Sequence, residues 1–174
     1  MRALATFPAA AALLAVTLIS PSAMAVDRAA GSAYGKLFIG GYDAFRANQD
    51  SQYGVEYEFE RVLSRYGFKP AVGLLRTRGA SHYLYSSLSR TSSFNAEPTG
   101  LALSVAFGPG LYLHGGNDDT DLGHLIEFRT SAGLLWVFGD QTRLGLHFSH
   151  LSNASISPQN PGTELVTLSY ELPW

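Results

Sequence analysis

The sequence predicts an all-β protein: an eight-stranded antiparallel transmembrane β-barrel of an outer membrane. Three observations carry the prediction. Apolar residues recur every second position in eight successive segments, the period of a strand whose side chains alternate between faces. The chain opens with a secretory leader. It closes on an aromatic, Trp174, that falls on the apolar parity of the last segment, as is common in bacterial outer-membrane proteins.

The leader reads directly. Arg2 gives a small positive start, Phe7 to Ile19 is an apolar run broken by Pro8 and Thr17, and Ala23-Met24-Ala25 is a small-residue cleavage site before Val26. A run this short suits a signal peptide better than a span of roughly 20 residues. Residues 1–25 are therefore expected to be removed, leaving 26–174 as a single barrel domain.

The strands follow at roughly 34–45, 51–62, 69–78, 81–90, 100–112, 124–138, 142–152 and 164–174. In the second, Tyr53, Val55, Tyr57 and Phe59 alternate with Gly54, Glu56, Glu58 and Glu60. In the fifth, Leu101, Leu103, Val105, Phe107 and Leu111 alternate with small residues. In the sixth, Ile126, Phe128, Ala132, Leu134, Trp136 and Phe138 alternate with Glu127, Arg129, Ser131 and Gly133. The seventh sets Leu144, Leu146, Phe148, His150 and Ser152 against Arg143, Gly145, His147 and Ser149. The eighth sets Glu164, Val166, Leu168, Tyr170, Leu172 and Trp174 against Leu165, Thr167, Ser169 and Glu171. The first, third and fourth are less regular. Lengths suit tilted membrane strands of roughly 9–11 residues.

The pattern fits a soluble barrel or sandwich with the apolar face inward, or a membrane barrel with that face outward. Glu56, Glu58, Glu60, Glu127, Arg129, Arg143 and Lys36 favour the second, because they could pair inside a narrow lumen. Composition narrows the function. With charged residues at 15% and aromatics at 12% the chain is not disordered. A net charge of −2 is no footprint for nucleic acid. The absence of cysteine excludes a disulfide framework, a thiolate metal site and a cysteine nucleophile. No G-x-S-x-G elbow, P-loop or H-E-x-x-H occurs. Asp118, Asp119 and Asp121 share a loop with Gly115, Gly116 and Asn117, which reads as a solvated run rather than a calcium site.

One segment combines groups that chemistry can use. His150 and Ser152 project from the lipid-facing parity of the seventh strand, and Glu164 opens the eighth on the same parity. A serine hydroxyl needs a base, a histidine can serve near neutral pH, and a carboxylate can fix the imidazole. Asn153, next to the serine, could donate to an oxyanion. The plainer alternative is that these groups mark where the strand leaves the membrane, with Asn160-Pro161-Gly162 supplying a turn.

The stretch His150-Leu151-Ser152-Asn153-Ala154, then Asn160-Pro161-Gly162, then Glu164, resembles the active-site region of the PagL family of lipid A 3-O-deacylases. Gly108-Pro109-Gly110-Leu111-Tyr112, Leu122-Gly123, Glu127-Phe128-Arg129 and the closing Leu-Ser-Tyr-x-Leu-Pro-aromatic resemble the family too. Similarity is strong over 100–174 and faint before. The resemblance implies an eight-stranded outer-membrane serine esterase with Ser152 as nucleophile, His150 as base, Glu164 as orienting acid and Asn153 at the oxyanion. It implies lipid A (lipopolysaccharide) as substrate, outer-membrane lipid as surroundings, and neither metal nor other cofactor; a homodimer stays open. Competing readings are a structural or adhesive barrel, a calcium-requiring phospholipase-type barrel and a soluble lipocalin-like carrier.

Overall fold

A computed structural model describes residues 32–47, 49–63, 65–116 and 119–174. The signal peptide expected over 1–25 lies outside the described residues. Eight antiparallel strands close into a barrel in chain order: β1 (Tyr34–Tyr42), β2 (Asp50–Glu58), β3 (Lys69–Thr77), β4 (His82–Ser93), β5 (Gly100–Leu113), β6 (Ile126–Val137), β7 (Arg143–Ser152) and β8 (Thr163–Pro173). β1 closes on β8, from Tyr34 opposite Pro173 to Tyr42 opposite Leu165. With an even number of strands both ends of the barrel chain lie at one rim, the periplasmic one in an outer-membrane barrel, and the β1–β2, β3–β4, β5–β6 and β7–β8 connections lie at the outer rim.

Side-chain burial follows strand parity. On β7, Leu144, Leu146 and Phe148 are 49%, 52% and 46% exposed, while His147 and Ser149 on the opposite parity are 4% and 1% exposed. The apolar face is the outer one. This arrangement is stable only where lipid takes the place of water against that face.

The interior is polar and paired. Lys36 Nζ lies 2.7 Å from Glu56 and 3.4 Å from Glu171. Arg129 approaches Glu56 at 3.1 Å, and Arg143 approaches Glu171 at 3.6 Å. Tyr85 donates to Glu56 at 2.7 Å, and the Arg143 guanidinium stacks on Tyr34 at 3.5 Å. Removing one member of such a network strands a buried charge, at a cost of about 3–5 kcal/mol. His147 enters this lumen because Gly133 faces it across the β6–β7 ladder; a Cβ on Gly133 would fall 2.3 Å from the imidazole Nδ1.

The structure departs from the sequence reading in five places, one of them β4, which runs on to Ser93 rather than ending at 90. β1 stops at Tyr42 rather than 45, because Asp43 takes a positive φ of 53° and a tight turn closes through Arg46 N and Asp43 O at 2.9 Å. β2 stops at Glu58, so Glu60 is exposed at the periplasmic rim rather than in the lumen. Glu127 faces inward and is fully buried, but neither carboxylate oxygen has a hydrogen-bond partner among the described residues. Asp119 is no solvated loop residue: it is 7% exposed and accepts hydrogen bonds from the Thr77 hydroxyl and, at 3.1 Å, from Ser81 N. Burial pushes its carboxyl up, yet the hydrogen bonds from Ser81 and Thr77 outweigh it and hold the group below the ordinary aspartate range.

Candidate active site

His150 and Ser152 end β7 at the outer rim, two residues apart and therefore on one face. The next strand supplies the third group. Glu164 stands opposite His150 in the β7–β8 ladder, and His150 Nδ1 lies 3.3 Å from Glu164 Oε1. The pair sits on the outer wall, with side chains 45% and 29% exposed. Ser152 is half-buried, and its hydroxyl is held by no hydrogen bond among the described residues. All three groups thus lie where the apolar band meets the rim.

The outer wall beside them is shaped for apolar chains. Thr130 is the cross-strand partner of His150 on β6, and Ala132 is the partner of Phe148. These two small side chains form a low floor. Phe148 stands on one side of it. On the other, Phe107 stacks with Phe128, ring centroids 6.1 Å apart.

Asn153 follows the serine but turns inward and is fully buried. Its amide Nδ2 donates to Leu122 O at 3.2 Å and to Gln159 O at 2.7 Å. Its Oδ1 accepts from Ser155 N at 3.0 Å, and its backbone N donates to Asn160 Oδ1 at 3.0 Å. One side chain thereby ties the β7–β8 loop to itself and to the β5–β6 loop. Asn153→Ala removes the three side-chain bonds, keeps the backbone bond to Asn160, and leaves the Leu122 and Gln159 carbonyls without their donor, for about 2 kcal/mol of stability. The expected result is a lowered urea midpoint for the barrel in bilayers; an unchanged midpoint would show that the loop does not depend on this residue.

The sequence reading missed the β1–β2 turn. Four consecutive residues of it grip the far side of the site. Asp43 accepts from the hydroxyls of Thr163 and Thr120. Ala44 N donates to Glu164 O at 3.0 Å. The Phe45 ring lies 6.1 Å from that of Phe148. Arg46 Nη2 donates to Pro161 O at 2.7 Å and Gly162 O at 2.6 Å. No local pattern announces the turn, because the first strand alternates too irregularly to mark its own end.

Residues 33–173 match the profile of a family described as lipid A 3-O-deacylase (PagL). The chain belongs to the PagL family. The lipid A deacylase PagL of Bordetella bronchiseptica is 38% identical over 52 residues, a stretch covering 30% of this chain and 29% of that protein. The match therefore spans less than a third of that relative. The crystal structure of the outer membrane enzyme PagL has a TM-score of 0.65 at 16% identity, covering 81% of this chain and 99% of that one. Neisserial surface protein A has a TM-score of 0.58 at 10% identity, covering 82% and 97%. Likeness at these identities establishes the fold alone, a closed eight-stranded β-barrel. The family's description names a lipid A 3-O-deacylase, which is an ester hydrolase.

Proposed function

We propose that this chain is an outer-membrane serine esterase that hydrolyses the ester-linked 3-position acyl chain of lipid A. The observation that carries the reading is the His150–Glu164 pair at 3.3 Å, set beside Ser152 on the lipid-facing wall. With Nδ1 turned to the carboxylate, Nε2 is left to serve the serine. Ser152 Oγ attacks the ester carbonyl carbon while His150 Nε2 takes its proton. The tetrahedral intermediate collapses as Nε2 returns that proton to the leaving sugar oxygen. Water, deprotonated by the same nitrogen, then attacks the acyl-enzyme, frees the fatty acid and restores the serine. The acyl chain lies on the Thr130–Ala132 floor between the flanking phenylalanines, and lipid A reaches the site by lateral diffusion in the outer leaflet.

Asn153 stands on the oxyanion side of Ser152 in this proposal. For its amide to donate there, the longer of its two N–H bonds, to Leu122 O at 3.2 Å, must open. Residues 1–25 are removed in this reading, so the amino terminus of the mature chain is Val26.

Mass spectrometry of lipid A from cells with and without this protein tests the reading. The expected result is loss of one 3-linked hydroxyacyl mass. Activity should survive EDTA, because each step above uses protein groups and water alone; abolition by EDTA with recovery on adding calcium would favour a phospholipase-type barrel instead.

A further inference from the structure

The wall across the barrel from the triad carries a second feature. Around a ring of eight strands β3 is four strands from β7 in either direction, so it faces away from Ser152. Its outward parity is apolar at Val72 and Leu74 and then changes to Arg76, with Arg78 just beyond the strand end on the same parity; all four are exposed. His82, the first residue of β4, is the cross-strand partner of Arg76. Neither guanidinium has a hydrogen bond or ion pair among the described residues. Two unpaired arginines at the edge of an apolar band call for an anion.

A furrow leads to them. It encloses about 720 Å³ on the outer wall between two rows of outward side chains. One row includes Tyr170, Leu37 and Val55. The other includes Leu168, Ile39 and Tyr53 and ends in Arg76 and His82. The register shows that it climbs. Leu168 lies five residues below the outer end of β8, Ile39 and Tyr53 three below the outer ends of β1 and β2, and Arg76 one below the outer end of β3. The furrow is therefore apolar at mid-membrane and cationic at the outer rim. Crossing from β8 to β4 covers four strand spacings of about 4.8 Å each, enough for most of an extended acyl chain.

We propose that this furrow is a second, non-catalytic binding site for lipid A, with a sugar phosphate on Arg76 and Arg78 beside His82 and one acyl chain laid along the furrow. The proposal rests on reading this rim as outer-leaflet height. A phosphate monoester offers two negative charges and several free oxygens to two forked guanidiniums; a phosphodiester headgroup offers one charge. The site's chemistry thus favours lipid A over an ordinary phospholipid.

The test is lipid retention by native mass spectrometry on the full mature barrel carrying Ser152→Ala, which keeps lipid A from being consumed. That parent should hold phosphorylated lipid A at two sites. Adding Arg76→Ser and Arg78→Ser should abolish one of them, with retention at that site weakened about tenfold or more. Dephosphorylated lipid A should show the same loss on the parent, and phosphatidylglycerol should not fill the second site. Equal retention by the double variant, equal retention of dephosphorylated lipid A, or filling by phosphatidylglycerol would each overturn the proposal. Heat-modifiability of the variants on gels reports that they are folded. If the esterase reading failed, the parent would hold lipid A at one site rather than two, and the double variant should still lose that one, so the two failures are distinguishable.

Discussion

Ser152→Ala is expected to give a folded, heat-modifiable barrel whose deacylation of lipid A falls by several orders of magnitude, as losses of triad nucleophiles do. His150→Ala should fall almost as far. The informative contrast lies three residues away. His147-Phe148-Ser149 repeats the spacing of His150-Leu151-Ser152, so the minimal motif occurs twice in six residues. The repeat stands on the other face. His147 Nε2 lies 2.9 Å from Ser169 Oγ and 3.6 Å from Glu171, and Ser149 donates to Ser131 at 2.9 Å, all inside the lumen. A lumen this narrow is filled by its own side chains, so no lipid ester reaches Ser149. His147→Ala and Ser149→Ala should lower stability through the polar interior and leave specific activity per folded molecule within a few-fold of the parent. Were those two variants the inactive ones, the proposed nucleophile would be wrong, whatever the resemblance suggests.

The face of every residue on β7 was legible because a strand has a period of two and a one-residue slip would invert all of it. The same alternation placed β5 to β8 within two residues of their observed ends. It also put Lys36, Glu56, Arg129 and Arg143 in the lumen, where they pair. It failed where the chain leaves the ladder. Strand pattern alone carries β1 on through 43–45, because alternation does not say where a strand stops; the positive φ at Asp43 does. Asp119 was read as solvated because three aspartates with glycines look like a surface loop, and nothing local announces that Thr77 and Ser81, some forty residues earlier, turn hydrogen-bond donors toward it. The site shows the same division. His150, Ser152 and Glu164 are brought to one end of the wall by parity and by the ladder, which the sequence carries. The hold of Arg46 on Pro161 and Gly162 spans more than a hundred residues and depends on how two loops meet.

That hold leads to the second large effect expected, at Gly162. The residue lies two before Glu164 and takes φ of 61°, where a side chain costs about 1–2 kcal/mol. A Cβ there would fall 2.8 Å from His150 Cε1, 3.3 Å from Nε2 and 3.1 Å from Leu151 O. The first of these is a collision, so either the loop or the imidazole must move. The loop is held: Arg46 grips the Gly162 and Pro161 carbonyls, and Ala44 N grips that of Glu164. The imidazole is half-exposed and yields, which opens the 3.3 Å contact to Glu164 and swings Nε2 away from Ser152. A displacement near 1 Å at a reacting group is worth about 10²-fold. Gly162→Ala is therefore expected to lower kcat about 100-fold on lipid A with little change in KM, because the acyl-chain wall of Phe148, Thr130 and Ala132 is untouched. Releasing the loop should restore part of the loss. Arg46→Ala in the Gly162→Ala background frees the two carbonyls and lets the new methyl move off the ring, so the double variant should be faster than Gly162→Ala alone, although Arg46→Ala by itself slows the enzyme. Steady-state kinetics of the four chains, each scaled to folded barrel, measures that coupling; purely additive losses, or a kcat for Gly162→Ala within twofold of the parent, would mean that His150 is not seated by this loop.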